Sequence, residues 1–173
     1  GILGNPTALP TNYGLYGGYL IGPGADLSGA KLDGLAIWGS NLTNVNLAGA
    51  SINQTALNNT TSFEGVRSGG LLGSIQNING AKLVDGYIVS AKANLAGANL
   101  RGSDLSNLNL EEVNLTGADL TGANLTGTHL VGATVVNTNF TFANLTGTIF
   151  SGNSISFSIF NGANLTNASF EDT

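Results

Sequence analysis

Ala118-Asp119-Leu120-Thr121-Gly122 runs directly into Ala123-Asn124-Leu125-Thr126-Gly127, and the five-residue pattern they share decides the fold. Working outward from this pair, an apolar residue returns at every fifth position from Leu95 to Phe170, sixteen times without a failure. A period of five suits neither an α-helix at about 3.6 nor a strand at about 2, so no long element can run through the stretch. Two residues before each centre lies a smaller position, filled by Ala93, Ala98, Ala118, Ala123, Ala133, Ala143, Ala163 and Ala168, and elsewhere by Ser103, Val113, Thr128, Thr138 and Thr148. Two residues after the centre glycine recurs, as at Gly97, Gly102, Gly117 and Gly132. The unit reads small, polar, large apolar, polar, glycine. It predicts a short extended piece that points its large and small residues inward and turns at the glycine. Self-similarity sustained in this way marks a repeat solenoid, an architecture that works through its surfaces and ends and needs no cleft.

These residues resemble the pentapeptide-repeat family, whose motif is Ala-Asn/Asp-Leu followed by two variable residues. Ala93-Asn94-Leu95-Ala96-Gly97 matches it, as do the two units quoted above. The resemblance implies an all-β fold, a right-handed quadrilateral parallel β-helix with one unit per side and four per coil. The sixteen clean units from Ala93 then make four coils, each rising about 4.8 Å, and the whole chain about eight. The family resemblance also points to a bacterial source, cyanobacteria included.

The first half carries the motif in a looser frame. Leu27, Leu32, Ile37, Leu42, Leu47, Ile52 and Leu57 are centres, with Ala25, Ala30, Val45 and Ala50 in the small position. A one-residue slip then leads to Phe63, Ile78, Leu83 and Ile88. A larger duplication is visible as well. Leu15-Tyr16-Gly17-Gly18-Tyr19-Leu20 corresponds to Leu83-Val84-Asp85-Gly86-Tyr87-Ile88, and each is followed by a seven-residue step into clean repeats. The expectation is a single solenoid domain over 1–173, built of two homologous blocks, 1–69 and 70–173, in one continuous rod.

Composition agrees with a single unusual domain. Charged residues are 9%, against roughly 25% in ordinary soluble domains. No run of apolar residues is long enough for a membrane-spanning helix. Cysteine and methionine are both absent, so disulfides and thiolate metal sites are excluded. A chain that does not open with methionine has lost its start by processing or trimming, and an exported location is the favoured expectation. All five basic residues lie before position 102, where they face four acidic ones, while residues 102–173 carry six acidic residues and no basic one. That polarity could orient neighbouring copies. No basic patch exists to displace counterions, so nucleic-acid binding is not expected.

Catalytic groupings are almost absent, and the chain is not expected to be an enzyme. His129 is the sole histidine and occupies an outward position; Glu111-Glu112 is the sole carboxylate pair, and adjacent residues cannot flank a substrate from opposite sides. Gly22-Pro23-Gly24 is a turn and no phosphate loop, lacking the Lys-Ser/Thr and helix that follow one. No cofactor or metal site is expected. The numerous Asn-x-Thr triplets follow from the repeat grammar and say little about glycosylation.

The outward aromatics say more. Tyr16, Tyr19, Trp38 and Tyr87 flank apolar centres and are expected to face solvent, and Phe142 and Phe157 stand in the corner position normally given to glycine. Together they suggest a contact surface. The ends read as uncapped, which leaves strand edges and an apolar column open. The leading functional expectation is therefore a structural protein that associates head to tail with itself, as an exported filament or as an end-joined dimer. Its interface would use Ile2, Leu3 and Leu9 at one end and Ile155, Phe160, Leu165 and Phe170 at the other. One alternative is a protein-binding module that inhibits a DNA-handling enzyme such as gyrase by mimicking duplex DNA, as some members of the family do. Another is an ice-binding ladder, because Asp104-Leu105-Ser106, Asn124-Leu125-Thr126, Asn144-Leu145-Thr146 and Asn164-Leu165-Thr166 stack on one side.

Overall fold

Asp119 and its neighbours show how one repeat satisfies its whole backbone. The Ala118 amide donates to the Leu115 carbonyl across the turn (2.9 Å), and the Asp119 amide to Ala98 of the preceding coil (2.9 Å). The Leu120 and Gly122 amides donate to Asn139 and Thr141 of the following coil (2.8 Å each). The fifth amide, of Thr121, donates to the Asp119 carboxylate (3.0 Å). All five N–H groups of the unit are thus paired, which is what a solenoid with buried backbone demands. Where Asn or Asp stands before the centre it takes the amide two residues on, as Asn114, Asn124, Asn139, Asn144 and Asn164 also do.

The structure, a computed structural model, describes residues 8–37, 39–57, 62–76 and 80–173. Its chain falls into two compact units, Gly1–Ile88 and Val89–Thr173. Among the described residues it contains short strands and bridges and no helix.

In the second unit the coils pair in parallel at a constant step of 20 residues, from Asn94↔Asn114 to Ile149↔Ser169. Twenty residues are four repeats. Every fifth residue from Gly97 to Asp172 is a corner in the left-handed region, with φ between 55° and 70°. The large apolar centres from Leu95 to Phe150 are fully buried. Toward the C-terminus aromatic rings take over the column: Phe140 stacks on Phe160 (centroids 5.0 Å apart) and Phe150 on Phe170 (4.7 Å), with edge contacts between the two pairs. Polar residues in the small position reach back to a carbonyl of the previous coil, as Thr128, Thr138 and Thr148 do to Leu105, Leu115 and Leu125.

The first unit opens with a hairpin, β1 (Gly14–Tyr16) against β2 (Tyr19–Ile21), antiparallel. Gly17 and Gly18 both have positive φ (53° and 81°), the requirement of a two-residue turn whose twist matches the strands. Parallel pairing follows, β3 (Ala36–Ile37) with β4 (Thr55–Leu57) and β4 with β5 (Ile75–Gln76). Here the step is 20 residues at Asp26↔Asn46 but 21 at Asn41↔Ser62 and Ser51↔Leu72. The expected one-residue slip is therefore an extra residue in one coil, and the step returns to 20 at Thr55↔Ile75. β6 (Lys82–Val84) and β7 (Tyr87–Val89) pair around Asp85-Gly86, whose φ values of 49° and 80° repeat those of Gly17-Gly18. The two corresponding hexapeptides of the sequence thus take the same hairpin form. The first unit's core is mostly Leu and Ile and leaves a cavity of about 10 Å³ lined by Leu27, Leu42, Ile52 and Ile88 among others, too small for a ligand.

Candidate functional site

Corners are where this fold admits variety. Of the sixteen corners from 97 to 172, glycine holds nine; Asn107, Asn137, Asn167, Glu112 and Asp172 hold five; and the remaining two are Phe142 and Phe157. A side chain with a Cβ pays about 1–2 kcal/mol for the left-handed conformation. Burial does not offset that here, because the phenylalanines are 71% and 83% exposed. The Phe142 ring lies over Gly162 of the next coil, where a Cβ would stand 2.6 Å from its Cδ1. Phe157 opens, and Phe142 one coil earlier closes, the side of the solenoid that also presents Ile159, itself 45% exposed.

The coil edge is a second surface. Leu145 and Phe150 are fully buried, whereas Ile155, Phe160 and Phe170, the centres that follow, are half-buried and Leu165 is 40% exposed. One coil earlier the amides of Phe140, Leu145 and Phe150 donate to the coil that follows (2.7–2.8 Å). The equivalent amides of Phe160, Leu165 and Phe170 point to where a further coil would lie.

Three of the tyrosines differ from expectation. Tyr16, Tyr19 and Tyr87 are half-buried and do not stand out in solvent, because they belong to hairpins and the five-residue alternation does not govern them. Tyr16 and Tyr19 pack on the first unit's core. The Tyr19 hydroxyl accepts the Lys31 amide (3.1 Å), where the equivalent amide one coil on, that of Ser51, donates to a backbone carbonyl of the preceding coil (2.9 Å). The turn at Gly17 also meets Leu35. This edge was expected to be uncapped, and the hairpin caps it. Leu9 is exposed at 36%; Ile2, Leu3 and Trp38 lie outside the described residues. Hydrophobic alternation alone missed this cap, although Gly17-Gly18 between apolar residues is a hairpin signal.

Two ion pairs join neighbouring coils on the surface, Arg101–Asp119 (2.9 Å) and Lys92–Glu112 (3.5 Å), and draw two carboxylates out of the acidic surface that duplex mimicry would use. The Thr121 hydroxyl bonded to Asp119 holds its carboxyl below the usual value, helped by Arg101; Ser28 does the same for Asp26. His129, Glu111 and Glu112 are exposed, and no cluster of three metal-ligating side chains occurs among the described residues. The Asn/Thr column is assembled as expected, Asp104, Asn124, Asn144 and Asn164 pairing coil to coil. Its Thr126, Thr146 and Thr166 hydroxyls each donate to their own Asn (2.7 Å).

The family model for pentapeptide repeats matches residues 24–61, 93–132 and 136–172, with eight copies. The chain belongs to the pentapeptide-repeat family. Members of this family are generally non-enzymatic structural repeat proteins, and the solved ones are right-handed β-helices. Among solved structures the chain is similar to HetL, a pentapeptide repeat protein involved in heterocyst differentiation regulation from the cyanobacterium Nostoc sp. (21% identity, 85% of this chain and 87% of that one, TM-score 0.33). It is also similar to a pentapeptide repeat protein of the Arabidopsis thaliana thylakoid lumen (24% identity, 88% and 69%, TM-score 0.34). A third is QnrB1, a plasmid-mediated fluoroquinolone resistance protein (18% identity, 84% and 58%, TM-score 0.36). No curated protein matches the chain. No helix among the described residues is long and apolar enough to cross a membrane.

Proposed function

We propose that this chain is a structural repeat protein without catalytic activity, a right-handed four-sided β-helix whose copies join through the coil that closes at Phe170. The observation that carries the reading is the break in burial along one column, from fully buried Phe150 to half-buried Phe160 and Phe170 and 40% exposed Leu165. Half-covered aromatic rings and outward backbone amides on one edge make a surface that gains by being covered. In the first unit the Tyr19 hairpin covers the coil edge at Lys31, which favours a pairing tail to tail, with the same patch on both copies. Head-to-tail growth into a filament would need that hairpin displaced. A following repeat and a second copy would meet the same groups, so the test is made on the 173-residue chain. Light scattering at two concentrations should show a mass rising toward the dimer. Phe170→Asp should hold the protein monomeric with its β-rich circular dichroism intact, since a charge placed in a dry contact costs several kcal/mol. Leu120→Asp, inside the buried column, should instead unfold the second unit. A monodisperse wild-type monomer at high concentration overturns the proposal.

A further inference from the structure

We propose that Asn161 is a site of spontaneous covalent modification, where the main-chain nitrogen of Gly162 closes on the Asn161 side chain and leaves aspartate or isoaspartate in the last coil. The inference does not rest on self-association. Its first support is the sequence. Asn-Gly occurs twice in the chain, at 79–80 and 161–162, and Asn79 lies outside the described residues. Glycine after asparagine puts no side chain in the path of the attacking nitrogen. Asn124, Asn144 and Asn164 are each followed by leucine instead.

The second support is the backbone. At this corner of the second unit the amides form a ladder from coil to coil: Gly102 donates to Thr121 (2.9 Å), Gly122 to Thr141 (2.8 Å) and Phe142 to Asn161 (2.8 Å). The peptide group between Thr121 and Gly122 is therefore held from both neighbouring coils, as is the one between Thr141 and Phe142. The peptide group between Asn161 and Gly162 is held only through the Asn161 carbonyl, and the Gly162 amide donates to no group among the described residues. It is the least restrained of the series, and it is the one that must turn toward the side chain. The third support is that side chain. Asn124, Asn144 and Asn164 hold their carboxamides in place by accepting both the amide and the hydroxyl of the threonine two residues on. Asn161 is exposed, and its carboxamide makes no hydrogen bond among the described residues, so Cγ is free to meet the Gly162 nitrogen.

The chemistry balances with water as the co-reactant. The deprotonated Gly162 nitrogen bonds to Asn161 Cγ, the Cγ–Nδ2 bond breaks, and ammonia leaves with the proton that the nitrogen gave up. The product is a succinimide ring. Water then opens the ring at either carbonyl carbon. Breaking the bond from nitrogen to Cγ gives aspartate; breaking the bond from nitrogen to the main-chain carbonyl carbon gives isoaspartate, whose chain runs through Cβ and Cγ. Either product carries a new carboxylate, ionised at neutral pH. In the isoaspartyl product the carbonyl that accepts the Phe142 amide leaves the main chain and becomes that carboxylate, so the Phe142 corner loses its fixed acceptor.

The test is incubation of the dilute, monomeric 173-residue chain in mildly alkaline buffer, followed by chymotryptic peptide mapping, mass spectrometry and an isoaspartyl methyltransferase assay. A copy seated on the coil edge would cover Gly162, so dilution separates this result from the outcome of self-association. Asn161 should convert, faster as pH rises, to products heavier by the difference between water and ammonia, with methylatable isoaspartate among them. Thr121→Asn creates the same dipeptide two coils deeper, where the Gly122 amide is held, and Thr146→Asn creates it before Gly147, held by Thr166 (2.9 Å). In variants whose circular dichroism matches wild type, the deeper position should convert more slowly than Asn161 of the same chain by about tenfold, the worth of one backbone hydrogen bond. Ageing should also speed hydrogen exchange at the Phe142 amide in wild type and leave it unchanged in Asn161→Thr, which carries the residue found at 121 and 141. Wild type that stays unmodified at Asn161, while the urea-unfolded chain converts there, overturns the inference. Equal rates at the deep and edge positions overturn it too, as does equal ageing of Phe142 exchange in Asn161→Thr.

Discussion

Asp119 carries three loads at once: it takes the Thr121 amide, takes the Thr121 hydroxyl, and pairs with Arg101 of the neighbouring coil. All three favour the ionised form, so its carboxyl, like that of Asp26, titrates below its ordinary 3.8 in the folded chain. A depressed folded value means that the stabilisation is present above 3.8 and is lost as pH falls through the lower folded value. The melting temperature should hold across neutral and mildly acid pH and drop below this point, and Asp26→Asn with Asp119→Asn should flatten the drop. An equally steep fall in the double variant would place the acid sensitivity elsewhere. Asn153 is the opposite case. It occupies the small inward position, is buried, and neither its amide nitrogen nor its oxygen finds a partner. Thr128, Thr138 and Thr148 in that position bond the carbonyl 23 residues earlier. Asn153→Thr should therefore bond Leu130, remove two unpaired groups and stabilise by about 2 kcal/mol, read as a melting temperature higher by several degrees. A lower melting temperature would mean that the Asn153 amide has a partner after all.

Hairpins are the elements that break the repeat rule, and they are where alternation misleads. In β1 and β2 the tyrosines turn toward the core, and the Tyr19 hydroxyl takes the place of a missing coil's carbonyl for Lys31. Tyr19→Phe removes that acceptor and should cost about 1 kcal/mol, with faster hydrogen exchange at the Lys31 amide as the specific readout. Unchanged exchange would show that the hairpin does not close this edge. The five-residue period was legible because burial enforces it: one polar residue at a centre would put an unpaired group in the column. The 20-residue coil was not contained in that period and came from the family likeness alone. The role of the polar residue before each centre was hidden too, because a side chain bonding its own backbone leaves no periodic trace beyond being polar. The hairpins could be read as a duplication, and their cap function could not, since it depends on one hydroxyl meeting one amide 12 residues away.

At the scale of the molecule, the two units solve the same packing problem with different side chains. The second fills its column with Leu and, toward the C-terminus, with stacked phenylalanines, while the first leaves a small void among Leu and Ile. The phenylalanines at corners 142 and 157 were legible as candidates because glycine was expected there, but their exposure emerged only once coils and corners were placed. The second unit's constant step of 20 residues carries a genetic consequence. A tandem duplication of fifteen nucleotides adds one repeat, keeps every apolar centre in frame, and turns all later residues by one side. A stable fold survives such an event while every pattern drawn across neighbouring coils is scrambled. Only insertion of a whole coil restores the alignment of what lies before it with what lies after. Phe142 and Phe157 share a side because of arithmetic modulo twenty, so the gene can lengthen in fives without harm to folding but only in twenties without harm to what the surface presents.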